Sequence, residues 1–78
     1  MKIHILISGQ VQGVGFRYWL RRKMAEAGIS GDVWNNDDGT VEAQVAGTTQ
    51  QIQGLVKLCR QGPALARVKK VVILKAAV

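Results

Sequence analysis

The residue types best suited to chemistry lie in one short segment that is rich in glycine and ends in an arginine. Residues 9–17 read GQVQGVGFR, and Gly9, Gly13 and Gly15 directly precede a predicted helix start. Glycines allow consecutive backbone N–H groups to converge on one point without obstruction by Cβ atoms, and the positive end of the helix dipole adds to the field there. The segment, called the glycine loop below, predicts an anion-binding cradle. Its alternative is a flexible turn with solvated arginines.

The charges after the loop favour the anion-binding interpretation. Arg17, Arg21 and Arg22 fall in the first turns of the predicted helix, where the helix dipole disfavours cations, so a bound anion would relieve that repulsion. The loop is neither of two common nucleotide-binding types. No parallel β-α-β unit with an acidic residue on a second strand follows it, and the Gly-Lys-Ser/Thr ending of a Walker loop is absent.

The elements that must position this loop follow from hydrophobic periodicity. Apolar residues alternate over residues 3–8, which predicts a strand, and recur at helical spacing from Phe16 until Gly28 stops the helix. Strands are predicted over residues 29–35 and 40–46, joined as a hairpin by the turn sequence NDDG.

The remainder predicts one more helix and one more strand. Thr48 or Thr49 can cap the helix, and Gly62 with Pro63 ends it, because proline cannot continue the hydrogen-bond ladder. A strand over residues 68–74 follows. The order β-α-β-β-α-β predicts an α+β, ferredoxin-like split βαβ fold: an antiparallel sheet with the first and third strands central and both helices on one face. We expect one domain, residues 1–78.

The charge and cysteine content of the chain limit the classes of partner and the type of site, but they do not identify one function. Eleven Lys and Arg against five Asp and Glu give a formal charge of +6, which favours an anionic partner such as nucleic acid, an acidic protein or a phosphorylated metabolite. We expect no membrane or export segment and no metal site. The single cysteine, Cys59, cannot form an internal disulfide and falls on an apolar helix face, so we expect a core residue and a cytoplasmic protein.

Three segments together resemble the acylphosphatase family. They are the glycine loop, residues 31–42 (GDVWNNDDGTVE), and Ala46-Gly47 with the later residues 62–68 (GPALARV). The matches run in the family's order and cover nearly the whole chain, with the topology that periodicity predicts independently.

The resemblance implies an enzyme that hydrolyses acyl phosphates to a carboxylate and inorganic phosphate without a cofactor. It implies that Arg17 binds the phosphoryl group, that Asn35 positions the attacking water, and that the loop backbone wraps the phosphoryl oxygens. The implied phosphate-binding residues are Gln12, Gly13, Val14, Gly15, Phe16 and Arg17. The implied partners are a small acyl phosphate and, as product-like ligands, phosphate or sulfate, with no nucleic acid and no membrane.

Other polar and aromatic residues receive simpler interpretations. His4, the only histidine, is predicted to be a surface or lightly packed strand residue, and Glu42 has no partner that indicates acid/base catalysis. Trp19 and Trp34 are expected to pack or to line a rim, and Trp34 is a candidate for shaping the acyl side of the site. An alternative role for Asn35 is to stabilise the adjoining turn by hydrogen bonds to local backbone.

Two alternatives and one departure from the family pattern stay open. A catalytically silent anion-binding domain would retain Arg17 and Asn35, and an RNA-binding module can share the topology, although residues 3–8 and 40–46 contain no aromatic residue on which a base could stack. Family members usually continue into one more short strand. We therefore expect either an exposed sheet edge, protected by Lys69, Lys70 and Lys75, or a homodimer that covers it.

Overall fold

Four strands and two helices make up the fold, and the computed structural model describes residues 1–75. The strands are β1 (Lys2–Gln10), β2 (Ser30–Asn35), β3 (Val41–Ala46) and β4 (Arg67–Lys75), and the helices are α1 (Phe16–Ala27) and α2 (Thr49–Gln61). This order confirms the predicted β-α-β-β-α-β arrangement. The expected roles of the Lys75 side chain and of the final residues 76–78 lie outside the described residues.

The order of the strands in the sheet determines which loops meet. The sheet has the order β2-β3-β1-β4, so the first and third strands are central, as predicted. Because β1 and β2 each run antiparallel to β3, they are parallel to one another. Their carboxyl ends therefore lie at the same edge of the sheet, which brings the loop after Gln10 towards the end of β2 at Asn35.

Alternation along the strands separates a helix-covered face from an open face. Ile3, Ile5 and Ile7 are buried and pair with the buried residues of β3, in the register Ile5↔Ala43 and Ile7↔Val41. Residues from both helices join the same buried cluster. Asn35 lies two residues after the buried Val33, so it belongs to the helix-covered side of the sheet.

Local signals place the helix ends where the sequence predicts them. Gly28 ends α1 in the left-handed conformation with φ 72°. Thr48 is the cap of α2, and it forms a reciprocal capping box with Gln51. Cys59 is fully buried, as expected of a core residue, and burial raises the pKa of its thiol to about 12. Neither α1 nor α2 is long and apolar enough to span a membrane.

Candidate active site

The glycine loop adopts a conformation that only glycine accommodates easily. Gly13 and Gly15 have φ values of 73° and 78°, in the left-handed region. A Cβ atom at either position would meet nothing within 4 Å, so the backbone conformation, not crowding, requires glycine, and the space beside the loop is open. Within residues 1–75, no acceptor pairs with the backbone N–H groups of residues 12–16.

The start of α1 leaves its positive end exposed to this space. Gly15 is the N-cap and offers no side-chain acceptor, and no acidic residue occupies the first turn. The first N–H groups of a helix have no intrahelical partner, and they favour an anion. Arg17 adds a full positive charge at the same place. The loop and the helix start therefore create a region of concentrated positive potential.

A cleft of about 240 Å³ opens at this region. Arg17 reaches it from α1, and Asn35 reaches it from the carboxyl end of β2. Its lining comprises Val11, Gln12, Gly13, Gly15, Phe16, Arg17, Tyr18, Arg21 and Asn35. The cleft thus brings together the predicted site residues except Val14, whose side chain packs against the core.

The side chains of Arg17 and Asn35 differ from those of their neighbours in having no hydrogen-bond or ion-pair partner among residues 1–75. Arg21, one turn after Arg17, donates from Nη2 to the Val33 carbonyl at 2.8 Å and so fastens α1 to β2. The guanidinium of Arg17 and the amide of Asn35 are the groups left available to a ligand.

The neighbouring Asn36 performs the turn-stabilising role that was an alternative for Asn35. Its Nδ2 donates to Thr40 Oγ1 at 3.0 Å and to Glu42 Oε1 at 3.2 Å, and its Oδ1 accepts from Trp34 Nε1 at 3.1 Å. Its backbone N–H donates to the Thr40 carbonyl at 2.9 Å. The turn is therefore held without the side chain of Asn35.

Gln12 connects the glycine loop to the same turn through its side chain. Its Nε2 donates to the Asn36 carbonyl at 2.8 Å and to the Thr40 carbonyl at 3.0 Å. The sequence indicated only a backbone contribution from Gln12. The side-chain contact joins residues 24 positions apart, and no local pattern in the sequence signals it.

Trp34 lies away from the cleft, which corrects the suggestion that it shapes the acyl side of the site. Successive strand residues face opposite sides of the sheet, so Trp34 projects to the open face while Val33 and Asn35 do not. Its ring meets that of His4 edge to face, with centroids 6.1 Å apart.

His4 and Glu42 form a pair on the open face that the sequence did not reveal. Nδ1 of His4 lies 2.7 Å from Oε2 of Glu42. This hydrogen bond is the main reason that the pKa of Glu42 is lowered, and the Asn36 amide contributes in the same direction. The pair lies on the sheet face opposite the cleft, and neither residue lines it.

Tyr18 and Arg21 also line the cleft. From the sequence, Arg21 was considered only as one of the charges that favour an anion, and Tyr18 was given no role. Tyr18 is strongly exposed beside Arg17, and Arg21 follows Arg17 by four residues, a spacing that places both on one helix face. The four-residue spacing in the sequence already indicated that Arg17 and Arg21 share this helix face. With two guanidinium groups and no carboxylate in its lining, the cleft is suited to an anion.

Comparison with known proteins gives this cleft a family context. The sequence model of the acylphosphatase family matches residues 3–77. The chain belongs to the acylphosphatase family. Its sequence is 48% identical over 64 residues to an acylphosphatase of Nitrobacter winogradskyi. That alignment covers 82% of this chain and 65% of the relative, so the chain spans about two thirds of the relative's length.

Solved acylphosphatase structures show the same fold. The crystal structure of the Bacillus subtilis acylphosphatase aligns with a TM-score of 0.93 at 30% identity, covering 99% of this chain and 86% of that one. The structure of an acylphosphatase from Coxiella burnetii gives a TM-score of 0.92 at 36% identity, covering 99% and 81%. Sequence and structure therefore agree on the family, and they favour it over the RNA-binding alternative.

Proposed function

We propose that residues 1–78 act as a single domain that hydrolyses small acyl phosphates at the cleft between the glycine loop and β2. In this assignment Arg17 and the backbone N–H groups of residues 12–16 bind the phosphoryl group, and Asn35 orients the attacking water. The observation that carries the proposal is that Arg17 and Asn35 reach one cleft from two elements, with neither side chain engaged elsewhere in residues 1–75.

Catalysis of phosphoryl transfer requires that the substrate and the water are held in position and that fixed positive charge lies near the phosphoryl oxygens. A transferring phosphoryl group spreads negative charge over three oxygens in a loose transition state, and guanidinium and backbone N–H donors aimed at those oxygens stabilise it. The planar guanidinium of Arg17 can hold two oxygens at once. In this proposal the remaining donors are the N–H groups of residues 12–16, which have no acceptor within residues 1–75.

The bond changes balance within the substrate and one water. The water oxygen attacks phosphorus, the bond between phosphorus and the carboxyl oxygen breaks, and its electron pair leaves with the carboxylate. The water's proton passes to a phosphoryl oxygen, so the products are a carboxylate and inorganic phosphate. The side-chain amide of Asn35 offers both a donor and an acceptor, which is enough to orient a water beside the phosphoryl group.

Two features support the compartment and the class of partner. The chain has one cysteine and therefore no internal disulfide, which is the usual state of proteins in a reducing cytoplasm. The two cationic side chains of the cleft suit a small phosphorylated substrate, and inorganic phosphate or sulfate is the expected product-like ligand.

Hydrolysis of benzoyl phosphate tests the proposal. We expect turnover that inorganic phosphate inhibits competitively and that EDTA leaves unchanged, because chain atoms supply the positive potential. Phosphate should also raise the melting temperature, since a ligand that binds only the folded state stabilises it. Phosphate binding without turnover would instead support a silent anion-binding domain. Salt-dependent binding of single-stranded RNA without turnover would support the RNA-binding module.

A further inference from the structure

The side chain of Gln12 bridges the glycine loop and the turn that follows Asn35. A side-chain amide nitrogen carries two N–H donors, and each of these finds a backbone carbonyl, at 2.8 Å on Asn36 and at 3.0 Å on Thr40. Both acceptors belong to the turn that directly follows β2. The contact therefore connects the glycine loop, which ends at Arg17, with the turn that follows Asn35 at the end of β2.

The two accepting carbonyls are themselves held in place. The Asn36 carbonyl also accepts the Gly39 N–H at 3.2 Å, and the Thr40 carbonyl accepts the Asn36 N–H at 2.9 Å. From the open face, Glu42 accepts a hydrogen bond from the Asn36 side chain at 3.2 Å. Gln12 thus attaches the loop to a turn that has its own backbone and side-chain hydrogen bonds.

Val11 is buried and Val14 packs against the core, so apolar contacts anchor the loop, but the polar contact between the loop and the turn after β2 is made by Gln12. Gly13 and Gly15 adopt positive φ values and touch nothing within 4 Å at their Cβ positions. The N–H groups of residues 12–16 have no acceptor within the described chain. The loop is therefore free of other polar contacts that would set its distance from Asn35, and glycine gives its backbone wide conformational freedom.

We propose that Gln12 is a positioning residue for hydrolysis. Its side-chain amide fixes the position of the glycine loop, so that the phosphoryl group bound there is aligned with the water that Asn35 orients. This inference rests on the proposed function. It separates two contributions of one residue: the backbone of Gln12 belongs to the proposed anion cradle, and its side chain donates to the two turn carbonyls. A misplacement of about 1 Å between reacting groups can lower a rate by ~10²-fold.

Gln12→Met is the informative variant, because it keeps the length and much of the shape of the side chain but removes both donors. We expect kcat for benzoyl phosphate to fall by ~10- to 100-fold, while inhibition by inorganic phosphate changes little, since the cradle itself remains. Gln53→Met, on the exposed surface of α2, is the matched control and should leave kcat unchanged.

A double-mutant cycle with Asn35→Ala distinguishes a positioning role from a purely structural one, because only a positioning role makes the effects of the two substitutions on kcat non-additive. If Gln12 acts by aligning the loop with the water at Asn35, Gln12→Met should lower kcat much less in the Asn35→Ala background than in the wild type. Additive effects would overturn the inference. So would a Gln12→Met protein whose activity falls only in proportion to its folded fraction, or whose phosphate affinity falls in step with kcat.

A shorter variant covers the case in which Gln12→Met does not fold. Gln12→Asn retains the amide but lacks a methylene, so it cannot reach both carbonyls, and the same loss of kcat is expected. Failure of both variants to fold would make the contact structural and overturn the inference. Absence of turnover in the wild type would overturn the proposed function, whereas wild-type turnover that Gln12→Met leaves intact would overturn this inference alone.

Discussion

Nδ1 of His4 lies 2.7 Å from Oε2 of Glu42, across neighbouring strands on the sheet face that carries no helix. The contact lowers the pKa of Glu42 from its ordinary value of 4.5. Through the hydrogen bond between Asn36 Nδ2 and Glu42 Oε1, the same carboxylate also holds the turn beside the cleft. Residues on the open face of the sheet therefore stabilise the turn that lies beside the cleft.

The pH dependence of stability should reveal this pair. Because the folded pKa of Glu42 lies below its unfolded value, its contribution is complete above pH ~4.5 and is lost as the pH falls through the folded pKa. Glu42→Gln should lower the free energy of unfolding by about 1 kcal/mol at neutral pH, and the two proteins should converge in strongly acidic solution. Urea midpoints across the acid range measure this. Glu26→Gln, on the exposed surface of α1, is the control, and a gap that widened on acidification would contradict the assignment.

Arg17→Lys should retain the fold and lose activity. Lysine keeps the charge but lacks the planar fork that holds two phosphoryl oxygens, and loss of a transition-state arginine lowers rates on the order of 10³- to 10⁵-fold. Turnover of benzoyl phosphate and far-UV circular dichroism give the two measurements. Arg22→Lys, on the same helix but outside the cleft lining, should behave as the wild type. Near wild-type turnover by folded Arg17→Lys would remove Arg17 from the site.

Two glycines should respond to alanine with opposite signs. Gly54 lies on the exposed side of α2 with nothing within 4 Å of an added Cβ, so Gly54→Ala should stabilise the protein by ~0.5–1 kcal/mol. Gly15→Ala should destabilise it by ~1–2 kcal/mol, because φ is 78° there. Chemical denaturation of both variants tests the pair. Activity should fall only for Gly15→Ala, because the backbone of Gly15 belongs to the proposed anion cradle.

The sequence predicted the elements because their signals are local. Alternation in β1, the Gly28 stop and the Thr48 cap each depend on a few adjacent residues. The strand bounds moved where tertiary contacts intervened. β1 continues to Gln10 and β4 begins at Arg67, because their pairing resumes beyond the irregularity at Ser8 and Gly9.

The side-chain contacts around the site depended on register, which alternation does not define. Alternation placed His4 on the face opposite Ile5, but only the register of β1 with β3 brings it near Glu42, 38 positions away. The contact of Gln12 with the turn depends in the same way on β1 and β2 ending at one edge. The loop was identified from its glycines and Arg17, and Asn35 from the family resemblance. The contacts that hold the loop and the turn became visible only in the three-dimensional arrangement.

Asn35→Ala should separate water positioning from phosphate binding. The side-chain amide of Asn35 has no partner within residues 1–75, and the side chains of Asn36 and Asp38 make the turn's side-chain hydrogen bonds, so the substitution should change the urea midpoint little. Turnover should nevertheless fall at least ~10²-fold, with phosphate inhibition nearly unchanged, because Arg17 and the loop still hold the anion. Asn36→Ala is the matched contrast: it removes the contacts to Thr40 and Glu42 and should lower stability. Measuring kcat, phosphate inhibition and the urea midpoint on both variants decides the matter. If phosphate affinity falls with kcat in Asn35→Ala, Asn35 binds the phosphoryl group itself, and the division of roles with Arg17 is wrong.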